Sequence, residues 1–130
     1  MALGLFYLAK GGYQMAEMMF AKVIDEDPMN SDAFYYKAIS SFGGKKPFVQ
    51  MTSVIENAIE NLEIAKGIEG KPIYYYAHAV IAFDFYKRKF IKHSPTFDML
   101  LDEADMYGGV DPNEANELFN MLNMPKPQNF

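Results

Sequence analysis

Two segments near the start of the chain carry the same pattern at a spacing of 34 residues. Gly4 and Ala38 are 34 residues apart, as are Leu8 and Phe42, and each pair falls on one face of a helix. A Gly-Gly pair follows each segment, at residues 11–12 and 43–44. Such repetition predicts stacked helix pairs, because one pair buries its apolar face only against its neighbours.

Proline, glycine and capping residues mark the boundaries of the predicted helices. An apolar stripe at helical spacing covers residues 13–24, and Asp27-Pro28 ends it because proline cannot continue a helix. Residues 30–32 are N-cap candidates for the next helix. Its partner is predicted from Phe48 or Thr52 to Ala65. A long helix is predicted to begin near Pro72, at a favourable first position, and to continue toward His93.

These boundary residues predict an all-α chain of about seven helices without a β-strand. The helices form a single domain over residues 1–124, with repeats at about 1–30, 31–70 and 71–107. A helix over about 111–124 is expected to cap the stack by covering surface that a further repeat would bury. Residues 125–130, which include Pro125 and Pro127, are expected to be a disordered tail.

A helix pair repeating at 34 residues, with a small residue at the helix crossing and proline after the second helix, resembles the tetratricopeptide repeat. The likeness covers roughly residues 1–107, strongly over 1–42 and loosely thereafter. The residues that carry it are Leu3, Gly4, Tyr7, Gly11, Tyr13, Ala16, Phe20, Asp27, Pro28, Phe34 and Ala38. The resemblance implies antiparallel helix pairs stacked in a right-handed superhelix, and a non-enzymatic scaffold or adaptor that binds a peptide or protein segment.

The resemblance also implies where a partner would bind, since the first helices of such repeats line a concave groove. The residues placed on or near that groove are Leu5, Tyr35, Tyr36, Ile39, Phe42, Tyr76, Val80 and Phe83. Tyrosine and phenylalanine anchor interfaces because they offer large contact areas with few rotatable bonds. Packing of the core is an equally weighted alternative. The family's clamp for a peptide's terminal carboxylate uses Lys and Asn at set places on these helices. Leu5, Tyr36 and Ile39 stand near those places in this sequence, so the clamp is not expected.

Charge and composition exclude several other classes. The chain has 17 acidic and 12 basic residues, a net charge of −5, which argues against a dedicated nucleic-acid binder because such affinity rests on neutralising phosphates. The absence of cysteine excludes disulfides, thiolate catalysis and zinc–thiolate sites. No apolar run reaches the roughly 18 residues that span a bilayer. The first residues lack the basic segment and the long apolar segment of a signal peptide, so none is expected there. A cytoplasmic protein without a membrane partner is therefore expected.

Residues that could support chemistry are few. His78 and His93 are the only histidines, and His78 has no usual metal ligand one turn away, so a hydrogen-bonded structural histidine is expected. The carboxylates of Glu56, Glu60 and Glu63 share a helix face that is interpreted as solvated rather than catalytic. No phosphate-binding or hydrolase motif is found. We therefore expect no catalytic residue, no metal and no cofactor.

One basic cluster leaves a further possibility open. Its members are Lys87, Arg88, Lys89 and Lys92. They could contact RNA or an acidic partner, but cations near a helix C-terminus also stabilise the helix dipole, and this second interpretation is preferred. Two alternatives to the scaffold remain. One is a self-assembling module, a homodimer formed through an exposed repeat edge, and the other is an RNA-binding helical repeat.

Overall fold

A computed structural model describes all 130 residues and contains seven α-helices and no β-strand. The all-helical class and the number of helices predicted from the sequence are confirmed. Each of the first five helices packs against the next one along the chain. The helices are α1 (Ala2–Ala9), α2 (Tyr13–Glu26), α3 (Ser31–Ser40), α4 (Thr52–Ile68), α5 (Pro72–Ile81), α6 (Phe97–Met106) and α7 (Pro112–Met121).

Helices α1 and α2 pack closely because one residue of α1 lacks a side chain. Gly4 is buried against the ring of Phe20, and a β-carbon on Gly4 would lie 2.6 Å from Phe20 Cε1. Phe20 and Ala16 are themselves fully buried. The small residue that the sequence pattern placed at this crossing is therefore required by the ring that faces it.

Local capping chemistry fixes the next boundaries. Helix α2 stops before Asp27-Pro28, and the Asn30 side chain accepts a hydrogen bond from the backbone N–H of Ala33 at 3.2 Å. Asn30 is thus the N-cap of α3 among the three predicted candidates. A short 3₁₀ turn (Pro47–Val49) precedes α4, which begins at Thr52, one of the two predicted starts, and continues past Ala65 to Ile68.

Helix α5 is the centre of the domain. It begins at Pro72 as predicted, and every residue from Ile73 to Ile81 is buried, so it is surrounded on all sides. It continues as a π-helical turn (Ala82–Lys87), in which backbone hydrogen bonds span five residues. The prediction that this helix reaches His93 is wrong. The chain turns away at Phe90, whose φ of 59° is left-handed.

Helix α7 does not extend the series of pairs. It packs across α5 and α3, so that Ala115, Leu118 and Phe119 are buried. Residues 125–130, expected to be disordered, bring the Phe130 ring to 5.4 Å from the Tyr76 ring, centroid to centroid. An amphipathic stripe and a bulky aromatic ring lose contact with water here, which explains why both segments fold back.

No helix combines the length and the apolar character that crossing a membrane requires.

Candidate functional site

Most of the residues predicted to line a groove are buried in the structure. Tyr35 and Ile39 lie on α3, Phe42 in the turn after it, and Tyr76 and Val80 on α5. All five are buried, with exposures between 0% for Val80 and 5% for Tyr76. They therefore form core rather than an open groove in this structure.

The remaining three predicted groove residues are more accessible. Tyr36 on α3 and Phe83 in the π-helical turn are half-buried, whereas Leu5 on α1 is 38% exposed. Tyr36 stacks on Phe20, with ring centroids 5.5 Å apart.

The cover over α3 and α5 is supplied by α7 and by Phe130. The Tyr76 ring meets the edge of the Phe119 ring at 6.1 Å and the edge of the Phe130 ring at 5.4 Å. Edge-to-face contacts of this kind add about 0.5–1.5 kcal/mol to the burial of the rings. Tyr35 and Tyr36 of α3 and Tyr76 of α5 are together named the aromatic face. An amphipathic helix of the same chain, α7, packs on the two helices that carry it.

Two polar contacts lie at the margin of this occupied face. The Tyr36 hydroxyl donates to Glu117 Oε1 at 3.2 Å, and Asn123 Nδ2 donates to the carbonyl of Gly44 at 2.7 Å. Burial, with the neighbouring Glu117 carboxylate, raises the pKa of Tyr36 well above its usual value, so its hydroxyl remains a donor. These contacts set the position of α7 along the face.

A partly buried polar network joins the starts of α3 and α5. The Tyr74 hydroxyl lies 2.6 Å from Asp32 Oδ1 and 2.7 Å from Ser31 Oγ, and Lys71 Nζ lies 3.0 Å from Asp32 Oδ2. Burial raises the pKa of Tyr74, and its hydrogen bond to Asp32 adds to the effect. The network fixes the spacing of the two helices that carry the aromatic face.

The two histidines, 15 residues apart in sequence, meet in the structure. His78 Nε2 lies 3.2 Å from His93 Nε2, and Lys66 Nζ lies 2.8 Å from His78 Nδ1. Lys66 also pairs with Glu63 at 2.6 Å. Burial, followed by the charges of Lys66 and His93, lowers the pKa of His78 to about 3, so His78 is neutral near pH 7. The expected structural histidine is found, within a larger chain of polar groups.

His93 is held in place by an aromatic partner as well. Its ring lies parallel to the Tyr86 ring, with centroids 4.0 Å apart and planes inclined by 3°. Burial also lowers the pKa of His93. The loop that carries His93 therefore folds back onto the π-helical turn.

Three of the four side chains of the basic cluster make contacts within the chain. Lys87 Nζ lies 4.5 Å above the Phe97 ring, and Lys89 Nζ lies 4.4 Å above the Phe85 ring. Arg88 donates to Asp84 Oδ1 at 2.6 Å. Lys92 is exposed on the following loop, on the wall of a cavity of about 570 Å³ between the π-helical turn and the start of α6.

Asp84 is a buried carboxylate that sequence reasoning missed. It accepts hydrogen bonds from the Phe48 backbone N–H at 2.7 Å and from Arg88, and thereby ties the 3₁₀ turn to the π-helical turn. A usable signal is present in the sequence, because Asp84 lies between two phenylalanines and Arg88 follows four residues later, a spacing at which the two side chains meet on a helix. The sequence contains no comparable pattern that predicts the contact between His78 and His93.

An apolar surface remains open on α1 and α2. The most exposed large side chains there are Leu3, Phe6 and Met18, at 53%, 53% and 51%, with Leu5 and Met15 beside them. This surface is named the α1–α2 edge.

The carboxylates of Glu56, Glu60 and Glu63 are exposed along α4, as the solvated interpretation requires. No group of three or more His, Asp or Glu side chains is arranged to hold a metal ion.

Comparison with known proteins assigns no family. No protein-family model matches the chain, and no curated protein or solved structure matches it significantly.

Proposed function

We propose that the chain is a non-enzymatic protein-interaction scaffold of the tetratricopeptide-like helix-pair type, and that its aromatic face on α3 and α5 binds an amphipathic helix. The observation that carries the proposal is the occupation of this face by α7. A surface that accepts a ten-residue helix through Leu118 and Phe119 has the size and chemistry for a partner helix of similar pattern.

The order in which the helices pack supports the repeat architecture. Pairs α1–α2, α3–α4 and α5–α6 follow one another, and α2 packs on α3 as α4 packs on α5. We propose a right-handed superhelical stack for these pairs. In such a stack α3 and α5 are first helices of their pairs, which places Tyr35, Tyr36 and Tyr76 on its concave side.

In this mechanism a partner helix takes the place of α7. Helix α7 has only three turns, and its polar contacts, Tyr36 with Glu117 and Asn123 with Gly44, lie at the accessible margin. Short elements with exposed hydrogen bonds open more readily than the core. The partner would bury leucine and phenylalanine side chains where Leu118 and Phe119 are now buried, with an aromatic ring beside Tyr76 in place of Phe119.

A peptide of residues 110–124 provides the test, because it carries the sequence of α7. Phe119→Asp should undock α7, and this variant should bind the labelled peptide at least tenfold more tightly than the parent chain does. Asn116→Asp, on the exposed face of the same helix, is the matched control and should behave as the parent. Circular dichroism checks that both variants keep their helices.

Adding Tyr76→Ala to Phe119→Asp locates the binding surface. The double variant should lose the peptide affinity that Phe119→Asp gained. A folded Phe119→Asp chain that does not bind the peptide would contradict the proposal. Should Phe119→Asp fail to fold, the pair Tyr36→Phe and Asn123→Ala weakens α7 docking more gently, and a rise in peptide affinity is still required.

The α1–α2 edge favours a second candidate function, self-assembly with another copy of the chain. Exposed leucine, phenylalanine and methionine side chains on adjacent helices are typical of an interface. In a homodimer the edge of one chain would cover the same edge of its partner. Sedimentation of the parent should then depend on concentration, and Phe6→Glu with Met18→Glu should give a monomer. A parent chain that is monomeric at all concentrations would remove this candidate.

A further inference from the structure

A cavity unrelated to the aromatic face lies between the π-helical turn and the start of α6. Its volume is about 570 Å³, within the range of small-molecule sites. It is lined by residues 91–94 of the loop, by Tyr86 and Lys87 of the π-helical turn, and by residues 96–98 at the start of α6. The stacking of His93 on Tyr86 holds the loop against the π-helical turn, so the cavity is formed in the free protein.

The polar groups of this cavity are mainly hydrogen-bond donors with positive charge. Lys87 and Lys92 contribute two ammonium groups, against the single carboxylate of Asp98. The first turn of α6 lines the same cavity, with Thr96 as its N-cap, and free backbone N–H groups of a first turn favour negative charge. The balance of charge in the cavity therefore favours an anion, although the chain as a whole is negative.

The histidine chain fixes a further donor. A lysine ammonium group can only donate, so Lys66 at 2.8 Å makes His78 Nδ1 an acceptor and places the proton of His78 on Nε2. That proton is donated to His93 Nε2 at 3.2 Å. The proton of neutral His93 is consequently on Nδ1, and no protein atom accepts it. Glu63 Oε1 lies farther from His78 Nδ1, at 3.3 Å, and the opposite tautomer, which would donate to it, would set an Nδ1–H against the ammonium group at 2.8 Å.

We propose that this cavity binds a small organic anion, a carboxylate or phosphate carried on an apolar body. Lys92, Lys87 and the Nδ1–H of His93 meet the anionic group, while Tyr86, Phe97 and Ile91 enclose the apolar part. The charged groups that surround the histidine pair are Lys66 and Glu63 on α4, and Lys92 is adjacent to His93 in the chain. The proposal is independent of partner binding on α3 and α5.

The proposal is tested by adding four small molecules to the full chain and measuring their binding from the amide and imidazole NMR shifts. They are phenyl phosphate, benzoate, inorganic phosphate and benzylammonium. Phenyl phosphate, benzoate or both should shift the signals of residues 91–98. Inorganic phosphate and benzylammonium should bind at least tenfold more weakly. Equal binding of the cation and the anions, or shifts confined to other residues, would overturn the proposal, as would inorganic phosphate binding as tightly as phenyl phosphate.

Charge variants locate the site. Lys87→Gln with Lys92→Gln should weaken binding of the preferred anion at least tenfold, whereas Lys22→Gln with Lys126→Gln, at exposed positions outside the cavity, should leave it unchanged. Undiminished binding by the first pair would refute the assignment. Nitrogen shifts of the imidazoles report the tautomers directly, and a proton on Nε2 rather than Nδ1 of His93 would refute its role as donor.

Discussion

Gly4 lies so close to Phe20 that a β-carbon on it would be 2.6 Å from the ring. We expect Gly4→Ala to destabilise the chain by about 1–3 kcal/mol, because overpacking a close helix crossing displaces the ring or the helix. Gly67 in α4 has no atom within 4 Å of the equivalent position and is the matched control. Gly67→Ala should instead stabilise by up to about 1 kcal/mol through helix propensity.

Urea unfolding of both glycine variants measures these two free energies. A neutral or stabilising Gly4→Ala would mean that α1 and α2 do not cross at Gly4.

Asp84 should be a major contributor to stability, because its carboxylate is buried and joins two turns. Asp84→Ala removes the acceptor of the Phe48 N–H and of Arg88, and we expect a loss of about 2–3 kcal/mol. Asp84→Asn should lose less, since its side-chain oxygen can still accept from Phe48. Asp102→Ala, at an exposed position of α6, should change stability by less than about 0.5 kcal/mol.

Thermal and urea unfolding compare the three aspartate variants. If Asp84→Ala unfolds as the Asp102→Ala control does, the link between the two turns contributes little.

Stability should fall in mild acid because His78 is buried in its neutral form. Its pKa is about 3 in the folded chain, against an ordinary value of about 6.5 when unfolded. Between these values the unfolded chain binds more protons, so stability rises with pH from about 3 to 6.5 and is fully present above that range. Lowering the pH from 7 to 5 should therefore remove about 2 kcal/mol.

The lowered pKa of His93 acts in the same direction. In His78→Gln the loss between pH 7 and pH 5 should be smaller by about the His78 contribution. Parent and variant chains with equal pH dependence would show that His78 does not titrate in this way.

Phe130 should stabilise the fold although it lies outside every helix. Its ring contacts those of Tyr76, Phe83 and Phe97 at centroid distances of 5.4–6.1 Å. We expect Phe130→Ala to cost about 1–2 kcal/mol, and Gln128→Ala, which is exposed, to have little effect. Hydrogen exchange checks the location, since amides of α7 should exchange faster only in Phe130→Ala.

The helix boundaries could be predicted because they depend on local chemistry. Asp27-Pro28 ends α2, Asn30 caps α3, and Pro72 starts α5, and none of these needs a distant partner. The π-helical turn could not be predicted in this way. Residues 82–93 keep an apolar pattern that suits a continuous helix, whereas the turn is stabilised by Asp84 through contacts with the distant 3₁₀ turn.

The surface on which α7 packs also could not be predicted from its sequence. An amphipathic stripe identifies which face of a helix is buried, but not the surface that covers it. Leu118 and Phe119 are buried, as their position on the apolar face predicts, yet that face packs on the distant helices α3 and α5, where the Phe119 ring lies 6.1 Å from the Tyr76 ring. For the same reason the sequence could identify Tyr76 as an important aromatic residue but could not predict whether its ring is exposed or buried.

The position of α7 also bears on how cooperatively the chain folds. In an open array of helix pairs each pair contacts only its neighbours, so the ends can fray while the middle stays folded. Here Tyr36 contacts Glu117, and Gly44 contacts Asn123, across about 80 residues of chain. These contacts raise the contact order and join the early pairs to the late ones, so we expect a slower, all-or-none transition instead of stepwise loss of repeats.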